Sequence, residues 1–469
     1  MQKNDIGVIG MAVMGRNLSL NIANHGYHVS IFNRTATKTK QMIAKNNHKN
    51  IFPYFQIQDF VNSLSSPKCI LLMVKSGKPT DETISTIIPY LNSGDIIIDG
   101  GNSFYKDTIV RYQLLLKHEI RFIGSGISGG EYGALTGPAI MPGGSKKAYD
   151  IIFPILKKIS AKFNEEPCVS YVGPDGAGHY VKMVHNGIEY ADMQLISETY
   201  CILKKLLNLS NKNISKIFDT WNQGELNSYL IEITKNIFTK KDNSGEYLID
   251  IILDEAVGKG TGKWTCQEAL SLNQPLNIIT ESVFARYLSS LKSQRMLASQ
   301  ILAGPNIAPI VYNKEDFIEK LRQALYLSKI IAYTQGFAQL SSASKKYYWN
   351  LNCSNIAKIF RSGCIIQSSC LHEIVKIYKY DNVIINLLLS PIFQEIANKY
   401  QHSLREVVSY SIMQGISIPA FSSAMTYYDG YRTEKSSANL IQAQRDYFGA
   451  HTYKRYDKAG IYHTNWIKE

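Results

Sequence analysis

Short apolar, β-branched runs recur through the first third of the chain: "DIGVIG", "HVSIFN", "KCILLMVK", "DIIIDGG" and "IRFIGSGIS". None alternates strictly between apolar and polar positions, which is the pattern of strands covered on both faces. Between them lie segments of mixed polarity and helical length, at about 15–25, 35–46, 80–91, 105–118 and 146–160. Strand and helix signals in alternation predict βαβ units and a parallel, doubly wound sheet over residues 1–176.

The glycine-broken run "GPDGAG", Gly173 to Gly178, ends that pattern. Strand signals nearly vanish after it, and helical periodicity takes over, for example at 180–207, 275–302, 314–340 and 383–398. A large all-α domain is therefore expected over 177–434. The remaining residues, 435–469, include "AQRDYFGAHTYKRYDKAGIYHTNW", with six aromatics and two histidines but little apolar periodicity. That stretch reads as an extended C-terminal tail that needs another surface to lie on, since its aromatic content argues against plain disorder.

One helical segment has an unusual polar face. In "KMVHNGIEY", Lys182, His185, Asn186, Glu189 and Tyr190 stand at i, i+3, i+4, i+7 and i+8. At about 100° per residue all five share one side of a helix. Taken alone, such a stripe reads as the water-facing side of an amphipathic helix.

Composition narrows the classes without choosing among them. The 469 residues suit roughly two to four domains. Apolar content of 45% and charged content of 19% describe an ordinary globular protein. No run approaches the roughly 18 apolar residues of a membrane span, and the opening residues read as a first strand, not a signal peptide. The net charge of +13 is spread along the chain with no basic block, so a nucleic-acid-binding arm is unsupported, whereas an anionic substrate or cofactor fits. Seven cysteines, at 69, 168, 201, 266, 353, 364 and 370, form no C-x-x-C pair and no zinc spacing. They predict reduced thiols, a cytoplasmic location and no metal site.

The first strand runs into "GMAVMG", with Gly10, Ala12 and Gly15 on the three positions of the G-x-G-x-x-G/A fingerprint and Met11, Val13 and Met14 between them. The first small residue permits a tight turn, the second lets the backbone approach a pyrophosphate, and the third allows close helix–sheet packing. Helix-start amides would then hold the pyrophosphate. In this strand–turn–helix setting the fingerprint predicts a Rossmann-type, dinucleotide-binding N-terminal domain. The second strand ends in Asn33, Arg34 and Thr35, where an NAD-dependent enzyme would place a carboxylate for the ribose 2′-hydroxyl. Arg34 can pair with a 2′-phosphate through its planar fork, which argues for NADP.

The sequence resembles the decarboxylating 6-phosphogluconate dehydrogenase family from end to end. The resemblance is carried by "GMAVMG", "FNRT", "IIIDGGNS", "GSGISGGEYGA", "MPGG", "DGAGHYVKMVHNGIEY", "GKGTGKWT", "FARYLSS", "AQRDYFGAHTY" and "HTNW", in order along the chain. Two departures are Ser76, where many members carry alanine, and a chain end three residues after Trp466, sooner than in many relatives.

The resemblance implies oxidation of 6-phospho-D-gluconate by NADP⁺ to D-ribulose 5-phosphate, CO₂ and NADPH, in a homodimer. It implies Lys182 as the base at the C3 hydroxyl and Glu189 as the acid that protonates the enediol. Val74, Lys75 and Ser76 would line the nicotinamide end, with Asn102 touching both nicotinamide and substrate. Ser128, Gly129 and Gly130 would hold the substrate carboxylate, and His185 and Asn186 its hydroxyls. Tyr190, Lys259, Arg286, Arg445 and His451 would surround the 6-phosphate, the last two from the other subunit's tail.

"GKGTGKW" imitates a phosphate-binding Walker loop but fails as one. Val257 stands at the first glycine position, and Trp264 follows Lys263 where a hydroxyl should bind Mg²⁺. It is read as a loop over the substrate, with Lys263 structural. Two other readings compete: an enzyme of the wider β-hydroxyacid dehydrogenase group acting on a small 3-hydroxy acid, which would not need the phosphate set, and a non-catalytic NADPH- or nucleic-acid-binding protein, which would be expected to lack Lys182 or Glu189.

Overall fold

The computed structural model describes residues 3–310 and 313–467, so the extreme ends of the first and last predicted segments lie outside the described residues. The chain forms two compact units that meet at Ala424 and Met425.

The first unit opens with a seven-stranded sheet. Its strands are β1 (Ile6–Ile9), β2 (Val29–Phe32), β3 (Ile51–Pro53), β4 (Cys69–Leu72), β5 (Ile96–Asp99), β6 (Arg121–Ile127) and β7 (Ile140–Gly144). Their order is β3-β2-β1-β4-β5-β6-β7, parallel throughout except for β7, which pairs antiparallel with β6. The helices on its faces are α1 (Val13–Asn24), α2 (Ala36–Lys45), α3 (Ile57–Asn62), α4 (Lys78–Ile87), α5 (Tyr105–Lys117), α6 (Gly130–Thr136) and α7 (Lys146–Ile159). Side chains alternate between two apolar layers: Ile96, Ile98 and Leu71 join Leu18, Ile22 and Ile152, while Ile97, Ile70 and Leu72 join Phe60, Ile84 and Leu115. Both layers are buried, which is why these strands read as unbroken apolar runs. Strand order reverses between β1 and β4, and ligands of open α/β sheets bind outside the carboxyl ends of strands at such a switch point.

Two strands lie outside the five apolar runs that predict the sheet. β3 is three residues long and ends on Pro53, tolerated because β3 is an edge strand. β7 is "IMPGG", with a proline and two glycines among its five residues. Its glycines let the next element in: a Cβ on Gly143 would lie 2.3 Å from the Gly178 nitrogen.

That next element is α8 (Ala177–Lys205), 29 residues and about 44 Å long. The remainder of the unit is helical. The helix Lys314–Tyr347 lies against α8, where Gly336 makes room for Ile188 and Lys329 donates to Asp192 at 2.8 Å within the core. The single helix expected over 275–302 is two, Asn277–Ser289 and Lys292–Ile301, and the one expected from 383 begins at Pro391, the residue that presets a first helical turn.

The second unit has more regular structure than its sequence suggests. It contains the helix Ala438–Gly449 and a pair of antiparallel backbone bonds between Tyr453 and Tyr462, each 2.8 Å.

Candidate active site

Gly10 takes a φ of 107° at the end of β1, and a Cβ there would stand 2.3 Å from the Met73 carbonyl oxygen. A Cβ on Gly15 would lie 1.8 Å from the Gly10 oxygen, so α1 crosses its own strand at a separation open to glycine alone. Ala12 and Val13 are exposed, which leaves the amino end of α1 open, and Asn33 Oδ1 accepts from the Met11 N–H at 2.9 Å. A cavity of about 480 Å³ adjoins this turn, lined among others by Gly10, Asn33, Arg34, Thr35, Val74 and Lys75. The Arg34 side chain is 89% exposed at its rim, 3.7 Å from Glu82 of α4. An open helix start, a glycine cradle and an exposed guanidinium fit a dinucleotide carrying an additional phosphate. Lys38 and Glu82 line the same cavity and were missed by the sequence reading. Lys38 was legible as the next cation one turn beyond Arg34, but Glu82 comes from another crossover and gave no signal.

The turn after β5 is held from beneath. Asp99, fully buried, accepts from Gly101 N–H at 3.0 Å and from Ser103 Oγ at 2.6 Å, and this leaves Asn102 exposed. Arg111 of α5 joins Asp99 at 3.4 Å to Asp81 of α4 at 2.6 Å and donates to the Gly77 carbonyl. The loop of Val74, Lys75 and Ser76 and the turn of Asn102 are thus tied to one buried cation. Nothing in the spacing of Asp81, Asp99 and Arg111 announced this.

The polar face of α8 is buried, not solvated. A Cβ on Gly126 of β6 would come within 2.3 Å of Lys182 Cβ, and one on Gly187 within 2.7 Å of Thr265. The two glycines seat α8 between the sheet and the helix Thr261–Ser271, which closes over it. Lys182 is 6% exposed and His185 fully buried. Lys182 Nζ lies 3.5 Å from His185 Nδ1, which also faces Asn186 Oδ1 at 3.0 Å; His185 Nε2 faces Ser128 Oγ at 3.3 Å. With the Asn186 oxygen as acceptor, Nδ1 carries the imidazole proton and Nε2 accepts from Ser128. Asn186 Nδ2 donates to Thr261 Oγ1 at 3.2 Å, a contact absent from the sequence reading. Glu189 Oε2 is 3.9 Å from His185 Nδ1.

Burial holds the Lys182 amine below the ordinary lysine range, against the pull of Glu189 and Cys364. Burial, then the Lys182 charge, hold His185 well below the ordinary imidazole value. Burial raises the Glu189 carboxyl, opposed by Lys182 and Arg286. A lysine held below its usual range and a carboxyl held above its own thus stand two turns apart on one face.

Around them, Gly129 has a φ of 111° and Gly130 of 64°, shaping the turn that follows Ser128. The Arg286 guanidinium stacks on the Tyr190 ring at 3.5 Å. Lys259 is exposed on the loop leading to Thr261. "GKGTGKWT" is part loop and part helix, since the helix begins at Thr261; Lys263 is exposed, and Trp264 packs on Phe104 at 5.0 Å. Arg445 and His451 belong to the second unit and are exposed there. Among the described residues no cluster of His, Cys, Asp or Glu could hold a metal ion, and all seven cysteines are free.

A doubly wound sheet with a glycine cradle at its switch point, and a buried lysine beside it, defines a nicotinamide-dinucleotide-dependent oxidoreductase. Residues 5–173 match the NAD binding domain of 6-phosphogluconate dehydrogenase, and residues 178–466 match its C-terminal domain. The chain belongs to the 6-phosphogluconate dehydrogenase family. It is 65% identical over 469 residues to the decarboxylating 6-phosphogluconate dehydrogenase of Buchnera aphidicola subsp. Schizaphis graminum, covering 100% of this chain and 99% of that one. It is 59% identical to the Escherichia coli K12 enzyme of the same name, with 100% of both chains covered. Among solved structures it is similar to 6-phosphogluconate dehydrogenase of Plasmodium falciparum, described in complex with its cofactor NADP⁺ and in complex with its substrate 6-phosphogluconate. That match has a TM-score of 0.95 and 44% identity, covering 98% of this chain and 100% of that one.

Proposed function

We propose that the protein converts 6-phospho-D-gluconate and NADP⁺ to D-ribulose 5-phosphate, CO₂ and NADPH. The observation that carries this reading is the buried Lys182 amine beside the buried His185, with Glu189 further along the same face. Residues 1–176 hold the cofactor: Gly10 to Gly15 at the pyrophosphate, Asn33, Arg34 and Thr35 at the 2′-phosphate, and Val74, Lys75, Ser76 and Asn102 at the nicotinamide. Bound NADP⁺ supplies the hydride acceptor.

Lys182, unprotonated, takes the proton of the C3 hydroxyl as hydride leaves C3. The resulting β-keto acid loses CO₂: the C1–C2 bond breaks, its electron pair enters the C2–C3 bond, and Lys182 returns its proton to the C3 oxygen. Glu189 then protonates the carbon that becomes C1 of the product, while the enediol hydroxyl on the neighbouring carbon gives its proton back to Lys182 and becomes the C2 ketone. Each proton step contributes about 10²–10⁴-fold. Ser128, Gly129 and Gly130 hold the substrate carboxylate, and His185 and Asn186 its hydroxyls. Tyr190, Lys259 and Arg286 meet the phosphate, joined by Arg445 and His451 of a second subunit's tail.

The helices of residues 177–434 pair two chains in this reading. The helix Lys292–Ile301 buries none of its residues, and Met296, Leu297, Ile301 and the adjoining Leu302 are exposed, an apolar surface that a second copy would cover. The free thiols support a cytoplasmic location. Incubation with NADP⁺ and 6-phosphogluconate, following NADPH absorbance and CO₂ release together, tests the function. Equal amounts of the two are expected; NADPH without CO₂ contradicts it.

A further inference from the structure

The helix Ala438–Gly449 is inside out. Its single buried residue is an acid, Asp446, while Leu440, Ile441, Tyr447 and Phe448 are exposed. Both oxygens of that carboxylate are used twice. Oδ1 accepts from the Thr452 N–H at 2.9 Å and faces His463 Nδ1 at 2.9 Å. Oδ2 accepts from the Thr464 N–H at 3.0 Å and from Trp466 Nε1 at 2.9 Å. The four donors lie 6, 17, 18 and 20 residues further along the chain, so one side chain joins the helix, the loop after it and the far strand of the Tyr453–Tyr462 bridge. Although burial works to raise it, hydrogen bonds from Thr464, His463, Trp466 and Thr452 hold the Asp446 carboxyl well below the ordinary range.

The position of this hub gives it a function beyond folding. Asp446 directly follows Arg445 and fixes the N–H of Thr452, the residue after His451. Thr452 has a φ of 61° and Ala450 a φ of 49°, left-handed conformations that persist only where surroundings impose them. Gln442 closes the arrangement from the other side: it accepts from Arg445 Nη1 at 3.1 Å and donates to the Thr452 carbonyl. Arg445 and His451 are thereby presented from one rigid turn.

We infer that Asp446 is the positioning residue of the C-terminal unit, holding Arg445 and His451 in the arrangement that grips a phosphate dianion. The inference rests on the reading above in which those two residues meet the substrate phosphate. Preorganisation of this kind lowers the cost of ordering the tail around its ligand, so its loss falls on substrate affinity.

The test uses the full-length enzyme with Asp446→Asn, Trp466→Phe, Arg445→Met and His451→Asn. Asp446→Asn keeps the size but loses the charge that four donors face. It is expected to raise KM for 6-phosphogluconate about tenfold, with kcat and KM for NADP⁺ within about twofold. The inhibition constant of inorganic phosphate, measured against 6-phosphogluconate, should rise in parallel. Trp466→Phe removes one donor and keeps a ring, and should shift both constants the same way by about threefold. An unchanged KM in Asp446→Asn, while Arg445→Met and His451→Asn raise it, overturns the positioning claim and leaves the phosphate reading standing. An unchanged KM in Arg445→Met and His451→Asn overturns the phosphate reading itself. Should Asp446→Asn fail to assemble, Trp466→Phe decides; a fall in kcat and in NADP⁺ affinity as large as that in substrate affinity marks a merely structural role and overturns the proposal.

Discussion

Lys182 Nζ lies 3.5 Å from His185 Nδ1, one turn along the same helix, and both side chains are shut away from solvent. Burial pushes each towards its neutral form; the Lys182 charge adds to that push at His185, while Glu189 and Cys364 oppose it at Lys182.

The acid limb of the pH profile follows from that environment. In its ionised form Glu189 is the principal charge that stabilises the Lys182 ammonium, so it raises the Lys182 pKa against burial. Removing its charge lowers that pKa. In Glu189→Gln the acid limb of single-turnover NADPH formation should move to lower pH. A limb that stays in place, or moves up, contradicts the coupling.

The same substitution separates the two proton transfers. Glu189→Gln should slow delivery to carbon by about 10²-fold or more and oxidation by far less. NADPH burst amplitude compared with steady-state ribulose 5-phosphate formation measures the split; equal losses would count against it.

Arg34 makes one exposed ion pair, with Glu82, and gives it up at small cost to a phosphate. Arg34→Glu should weaken NADP⁺ binding by about 10- to 100-fold, the value of one or two charge-assisted hydrogen bonds, and NAD⁺ binding by much less. Fluorescence titration with both dinucleotides decides between this and a role in general affinity.

The dinucleotide turn could be read from the chain because Gly10 and Gly15 answer local demands: a left-handed φ, and a helix crossing its own strand at contact. The helix over residues 180–207 could be read from its period. What its polar face touches could not. A lysine, an imidazole and a carboxyl at helical spacing look the same whether water or protein covers them. Here Gly126 and Gly187, far apart in sequence, together with the helix Thr261–Ser271, bury that face. The Asp81–Arg111–Asp99 tie, centred on the buried Arg111, joins three elements and leaves no periodic trace. The tail helix escaped notice because it buries an acid and exposes its apolar residues, the reverse of the pattern by which helices are recognised.

Gly126 is where the fold and the chemistry meet. Gly126→Val sets a branched side chain where even a Cβ would lie 2.3 Å from Lys182 Cβ. It should cost about 1–3 kcal/mol by overpacking, read by urea denaturation, and reduce kcat by displacing the amine. A variant of wild-type stability and rate would show that α8 does not press on β6 there.

The account stands on an unprotonated amine at position 182. Stopped-flow NADPH formation in a single turnover, followed across pH in wild type and in Lys182→Met at saturating NADP⁺, tests it most directly. The wild type should show an acid limb below the ordinary lysine range. The variant should bind NADP⁺ normally yet lose about 10³-fold or more of the rate, with no such limb. A Lys182→Met enzyme that kept the limb and more than about a tenth of the rate would contradict it.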